Sequence, residues 1–292
     1  MIYRRDLLLG LTVLAVLFGI ILISLLALVS VKPGGLHVAG DCVAVIEVTG
    51  AIVSPDNVVR KLERYIRNDD VRAIVIRLNT PGGGISATQE IHQTVLKARF
   101  AGKLIVASMG SVAASGGYYI AAACDSIMAT PGTVTGSIGV IMSLTEFSDL
   151  FEKLGITFNV MKSGKFKDTG SIARKMTDEE RSYLDDVIMD FYEQFVEVVS
   201  EGRSMDPEYV RTYADGRIMT GRQALELGFV DLLGTYQDAI DLAGDMAGLG
   251  IDPPVLKEAD GSLMDILING VSRIVVRGVE QAVPRIAYLW TM

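Results

Sequence analysis

Apolar positions in this chain follow three distinct textures. At the N-terminus they are continuous: residues 7–31 hold no charged side chain. At 1.5 Å per residue that run makes a helix of roughly 37 Å, longer than the hydrocarbon core of a bilayer at about 30 Å. It predicts one transmembrane helix. The run exceeds the roughly 7–15 residues of a signal-peptide core, and Val31-Lys32-Pro33-Gly34-Gly35 offers no small-x-small cleavage site, so the anchor is expected to stay. Arg4 and Arg5 precede it while only Lys32 follows closely, which orients the N-terminus to the cytoplasm and the remainder to the other side.

After a Gly-containing juxtamembrane linker, residues 32–41, the texture changes to short β-branched runs alternating with longer helical stretches. Residues 43–48, 73–78, 104–108 and 126–129 read as strands; residues 57–67, 86–100 and 115–123 read as helices. Nearly continuous apolar strands joined through helices predict an α/β domain with a largely parallel, buried sheet over residues 42–250. From Thr177 the pattern is helical, opened by a capping box of Thr177 with Glu180, and a further helix at 221–227 is stopped by Gly228. Beyond Pro253-Pro254 lies the third texture. Leu263, Ile266, Leu267, Val271, Ile274 and Val275 recur among Asp and Arg residues, so residues 251–292 form an apolar tail, expected to be helical and to pack on its own domain or a neighbouring subunit.

Charge and composition narrow the chemistry. With 27 basic and 35 acidic side chains, a net charge of -8 excludes a typical nucleic-acid binder, which needs a basic face to displace counterions from phosphates. Cys42 and Cys124 cannot supply a four-ligand zinc site and are expected to be buried thiols. Only His37 and His92 are present, the first in the linker and the second mid-helix at a surface or lightly packed position, so most histidine-based mechanisms have little to work with.

Two small-residue clusters stand where strands give way to helices. In Asn79-Thr80-Pro81-Gly82-Gly83-Gly84 the glycines let backbone N–H groups converge on an anion, yet the loop lacks both a P-loop ending and the dinucleotide glycine spacing. In Gly110-Ser111-Val112-Ala113-Ala114-Ser115-Gly116-Gly117, Ser115 is flanked by residues too small to block access, at a helix start where amides stabilise a developing oxyanion. It suits a nucleophile, although a serine among glycines and alanines is more usually a close-packing residue. A serine needs a base, and a desolvated lysine can serve because burial favours its neutral form. Lys162, Lys165 and Lys167 lie together in Met161-Lys162-Ser163-Gly164-Lys165-Phe166-Lys167-Asp168, and composition does not choose among them.

These motifs, with Thr135-Gly136-Ser137-Ile138-Gly139 and Gly216-Arg217-Ile218-Met219-Thr220-Gly221, in this order over about residues 42–245, resemble the signal peptide peptidase A (SppA) family, in its short single-repeat form. The resemblance implies a ClpP/crotonase-like fold carrying a Ser/Lys dyad serine endopeptidase. It maps the nucleophile to Ser115 and the base to Lys167, the oxyanion hole to Gly83 or Gly82 with Gly116, and a lysine-orienting hydroxyl to Ser137. It implies no metal or cofactor, peptide substrates such as cleaved signal peptides and unfolded apolar segments, membrane attachment through residues 7–31, and a homo-oligomeric ring or dome, commonly of eight subunits. Two neighbouring readings remain: the same chemistry acting on membrane or envelope regulators, and a crotonase-like acyl-CoA enzyme, which shares the Gly-rich oxyanion loops but needs neither Ser115 nor Lys167. A non-catalytic membrane scaffold, its glycines serving only packing, is the third.

Overall fold

The computed structural model describes residues 40–257 and the backbone of a strand at 286–289. The expected transmembrane helix at 7–31, most of the linker and most of the 251–292 tail lie outside the described residues. Among those described, no helix is long and apolar enough to cross a membrane.

The chain enters on β1 (Cys42–Thr49), crosses through α1 (Asp56–Ile66) to β2 (Val71–Thr80), and makes a short glycine strand β3 (Gly82–Gly84) before α2 (Ile85–Phe100). Next come β4 (Leu104–Ala114), α3 (Gly116–Ala121), β5 (Ser126–Ala129), β6 (Val134–Gly136), β7 (Ile141–Met142) and α4 (Ser148–Lys153). The long α5 (Asp178–Arg203) is followed by α6 (Pro207–Tyr213), β8 (Ile218–Thr220), α7 (Gly221–Glu226), β9 (Leu232–Leu233), α8 (Tyr236–Met246), β10 (Val255–Lys257) and β11 (Ile286–Leu289). The main sheet runs β10-β1-β2-β4-β5-β9 with every pair parallel, while β6 pairs with the far end of β4 and antiparallel with β8. The expected parallel α/β architecture is therefore present.

Why the strands are apolar on both sides follows from their two-residue period. Ala44, Ile46, Ile74, Ile76, Ile105 and Ala107 face one core with α1, α2, α3 and α5; Val43, Val45, Ala73, Val75 and Val106 face a second core closed by Ala239, Ile240 and Ala243 of α8. Helix α1 shows the matching helical period: Val58, Leu62 and Tyr65 are its buried stripe. The Thr177/Glu180 capping box opens α5 as the sequence suggested. Both cysteines are free and buried, also as expected.

Three features depart from the sequence reading. Strand β4 continues through Gly110 to Ala114, because Thr80↔Ala113 and Ala113↔Thr135 pairings carry the ladder past the small residues. Residues 286–289 form a strand rather than the end of a helix, held by non-local pairing to β3 and β7. His92 is buried rather than superficial, edge-on to Tyr119 at 5.0 Å between ring centroids.

Candidate active site

Ser115 sits at the hinge between β4 and α3, with φ 53 and ψ -115, a conformation that costs a non-glycine residue on the order of 1–3 kcal/mol. Its N–H donates to the Gly136 carbonyl at 2.8 Å, which pins the turn to β6 and places Ser137, itself at φ 51 and buried, directly alongside. The turn is held from behind by α3. Tyr118 donates its hydroxyl to the Phe229 carbonyl at 2.9 Å, and Tyr119 packs between His92 and Phe195. Burial pushes the Tyr118 phenol far above its ordinary range and lowers His92 to about 4, so both are neutral packing groups at pH 7.

Ser115 is only 1% exposed, and its Oγ has no hydrogen-bond partner among the described residues. A buried, unsatisfied hydroxyl costs about 1–3 kcal/mol, so a strained and unpartnered serine is an arrangement that stability alone does not favour.

Around it the backbone closes in. A Cβ on Gly116 would stand 3.2 Å from the Gly82 Cα and 3.3 Å from the Gly83 nitrogen, so the two segments are in near contact. Strand β3 is fixed from its other edge: Ile52 N–H donates to Gly82 O at 2.9 Å, and Gly84 N–H donates to Ile52 O at 2.8 Å. The Gly82 N–H donates to Thr80 Oγ1 at 3.1 Å. By strand alternation the Gly83 N–H is therefore presented on the opposite edge from Ile52, beside the first amide of α3 at Gly116. The structure thus brings together Ser115, Gly82, Gly83, Gly116 and Ser137. Two amides beside a serine hydroxyl can hold the oxygen of a carbonyl under attack.

The three lysines lie elsewhere and differ from one another. Lys162 donates to Asp168 Oδ1 at 2.6 Å and Lys165 pairs with Glu179. Asp168 and Glu180 also grip Arg174, which donates to Asp168 at 2.7 and 2.9 Å. That guanidinium holds both carboxyls below their usual range, Glu180 at about 2. Lys167 is exposed and, among the described residues, has no carboxylate partner and makes no hydrogen bond to Ser115. Among the described residues no cluster of His, Cys, Asp and Glu could hold a metal ion. A cleft of about 390 Å³ lined by Ser137, Gly139, Val140, Ile188, Tyr192 and Gly216 adjoins the Ser137 turn, a feature not legible in the pattern of residues.

A strained serine at a strand-to-helix turn, faced by glycine amides on a parallel α/β sheet, is an arrangement suited to acyl transfer. Residues 97–250 match the model of peptidase family S49, a span that contains Ser115, Ser137 and Lys167. The chain belongs to that family, the SppA-type serine peptidases. It is 47% identical over 211 residues to a Synechocystis sp. protein named as a protease, an alignment covering 72% of this chain and 76% of that one. It is 42% identical to an Enterococcus faecium protein named as a signal peptide peptidase SppA, over 63% of this chain and 54% of that protein. The chloroplastic serine protease SPPA of Arabidopsis thaliana is 30% identical over 80% of this chain and 35% of its own length. The chain thus spans about half or less of the latter two relatives.

Proposed function

We propose that this chain is a membrane-anchored serine endopeptidase with a Ser115/Lys167 dyad, cutting cleaved signal peptides and other apolar peptides on the extracytoplasmic side of the membrane. The observation that carries the reading is Ser115 itself: buried, backbone-strained, unpartnered at Oγ, and next to the amides of Gly83 and Gly116.

In the reaction a neutral Lys167 amine takes the Ser115 proton as Oγ attacks the substrate carbonyl carbon, and the Gly83 and Gly116 N–H groups stabilise the oxyanion. The C–N bond breaks, the lysine returns its proton to the leaving amine, and an ester to Ser115 remains. Water, deprotonated by the same lysine, releases the acid and restores the hydroxyl. Lys167 suits this role better than Lys162 or Lys165, whose amines are held in ion pairs with Asp168 and Glu179. Because Lys167 is exposed while Ser115 Oγ is buried without a partner, Lys167 is delivered by a second copy of the chain in the homo-oligomer. Exposed Phe147, Leu150, Leu154, Phe158 and Val160, on the segment leading to Lys167, are the apolar surface such an assembly would cover. Val140, Ile188 and Tyr192 in the cleft beside Ser137 suit an apolar substrate side chain.

The direct test is hydrolysis of an apolar peptide by the full chain in detergent, with Ser115→Ala and Lys167→Ala compared at matched folding. Both variants are expected to be inactive. Full activity in either sinks the dyad.

A further inference from the structure

Lys167 stands on a stretch with no regular structure. Residues 154–177, between α4 and α5, contain neither helix nor strand, and connections longer than about 12–15 residues are uncommon unless they serve a function. This one is tied down at the residues on either side of the lysine. Phe166 lies against Tyr183 of α5, with 5.1 Å between ring centroids. Asp168 is gripped at both oxygens by Arg174, from Nε at 2.9 Å and from Nη2 at 2.7 Å. The same guanidinium continues to α5, where Nη1 donates to Glu180 Oε2 at 2.8 Å and Nη2 reaches Glu180 Oε1. With Nη1 also donating to the Lys175 carbonyl at 3.1 Å, every one of its N–H groups is used.

Glu180 is a firm anchor for this grip. It is the buried third residue of α5, and its carboxylate accepts from the Thr177 N–H at 3.0 Å and from Thr169 Oγ1 at 3.2 Å. Lys162 also meets Asp168, but it and its other acceptor, the Lys165 carbonyl, belong to the same irregular stretch. The Lys165–Glu179 pair spans the gap to α5 with side chains 64% and 63% exposed, where an ion pair contributes little. Asp168 and Glu180 are 15% and 5% exposed, so Arg174 is the charged link that solvent screens least.

We propose that Arg174 is a positioning residue for the base: by clamping Asp168 to Glu180 it holds the turn that presents Lys167. The inference rests on the reading of Lys167 as base and deepens it. An exposed lysine that serves another copy of the chain has no contact of its own to fix it, so its backbone must be fixed by its neighbours. Pinning Phe166 and Asp168 leaves mainly the side-chain torsions of Lys167 free. Misplacing a reacting group by 1 Å typically costs about 10²-fold in rate, which sets the size of the effect. A lysine at position 174 would be a single point charge and could not meet two carboxylates in this forked way.

A double-mutant cycle tests it. Full chain in detergent is labelled at serine with a fluorophosphonate, and rates are compared for wild type, Arg174→Ala, Lys167→Ala and the double variant, at matched assembly size and melting temperature. Labelling is expected to be about 10²-fold slower in Arg174→Ala, and still at least about tenfold slower in Arg174→Lys. Adding Arg174→Ala to Lys167→Ala should change the residual rate by less than about twofold, because a residue that acts through the lysine then has nothing to act on. Amide exchange at Lys167, Thr169 and Ser171, whose N–H groups close turns onto the Gly164, Phe166 and Asp168 carbonyls, should be faster in Arg174→Ala. A wild-type labelling rate in Arg174→Ala overturns the proposal. So does a further tenfold loss in the double variant, which would make Arg174 a support of the fold around Ser115. Should Arg174→Ala fail to fold, Glu180→Gln carries the same test, since it keeps an oxygen for the Thr177 N–H and removes the charge that Arg174 meets. It is expected to slow labelling at least about fivefold, and an unchanged rate overturns the proposal. Failure of the dyad reads differently: Lys167→Ala would then label as fast as wild type.

Discussion

Gly83→Ala perturbs the proposed oxyanion amide through a single added methyl group. A Cβ at position 83 would stand 2.1 Å from the Ile52 oxygen, 2.5 Å from its nitrogen and 2.6 Å from its carbonyl carbon, all backbone atoms that no rotamer change can move. Reaching ordinary contact requires β3 to shift by about 1 Å, and a 1 Å misplacement of reacting groups typically costs about 10²-fold in rate. Loss of one oxyanion donor costs about 10²–10³, or roughly 2.7–4 kcal/mol in the transition state. The neighbouring Gly84→Ala is an internal control: its Cβ would lie 3.7 Å from the Ile52 oxygen, and Gly84 already has an extended backbone at φ -61 and ψ 133. Steady-state hydrolysis of an apolar peptide, at matched circular dichroism, should show kcat reduced at least about 10²-fold for Gly83→Ala and by less than about threefold for Gly84→Ala. Equal losses in the two variants, or near wild-type kcat in Gly83→Ala, would remove Gly83 from the oxyanion hole.

Other consequences are as specific. Mixing Ser115→Ala with Lys167→Ala protein and allowing subunit exchange should restore activity, to about a quarter of the wild-type rate if each site draws its serine and lysine from adjacent copies of a ring; no recovery would place both residues of a site in one chain. Lys162→Ala should keep peptide hydrolysis within a few-fold of wild type, since that amine is committed to Asp168; an inactive but folded Lys162→Ala would reopen the assignment of the base. His92, lowered from 6.5 to about 4 by burial, binds its proton less readily folded than unfolded, so its contribution to stability is complete above pH 6.5 and disappears as pH falls toward 4. That is on the order of 3 kcal/mol, and urea unfolding of His92→Phe should show a flatter dependence on pH across this window than wild type. Thr177→Val should destabilise by about 1 kcal/mol in urea unfolding through loss of the α5 cap.

Where local physics decides, the sequence was readable. The doubly buried strands β1, β2 and β4 show as nearly continuous apolar runs, and the Thr177/Glu180 box marks the start of α5 to the residue. The glycine-rich clusters told of close backbone approach, and Gly83 against Ile52 and Gly116 against Gly83 are where it occurs. Features set by distant partners were not readable. His92 looked superficial within α2 because the rings that cover it, Tyr119 and beyond it Phe195, come from α3 and α5. Ile286-Ala287-Tyr288-Leu289 fits a helix face or a strand equally well, and only pairing to β3 and β7 decides between them. Helix α8 was missed although Thr235 and Asp238 form a capping box, since its apolar stripe of Ala239, Ile240 and Ala243 is small. The strained conformation of Ser115 is likewise invisible in a string of small residues, at a turn tied to the distant Gly136 carbonyl.

If Ser115 is a nucleophile activated by Lys167, covalent labelling will report it without any need for the natural substrate. Full-length protein in detergent would be treated with a serine-reactive fluorophosphonate and the adduct mapped by peptide mass spectrometry, for wild type and Lys167→Ala. One adduct is expected, on Ser115, formed at least about 10²-fold more slowly without the lysine. Labelling at another serine, or equal rates in the two proteins, would contradict it.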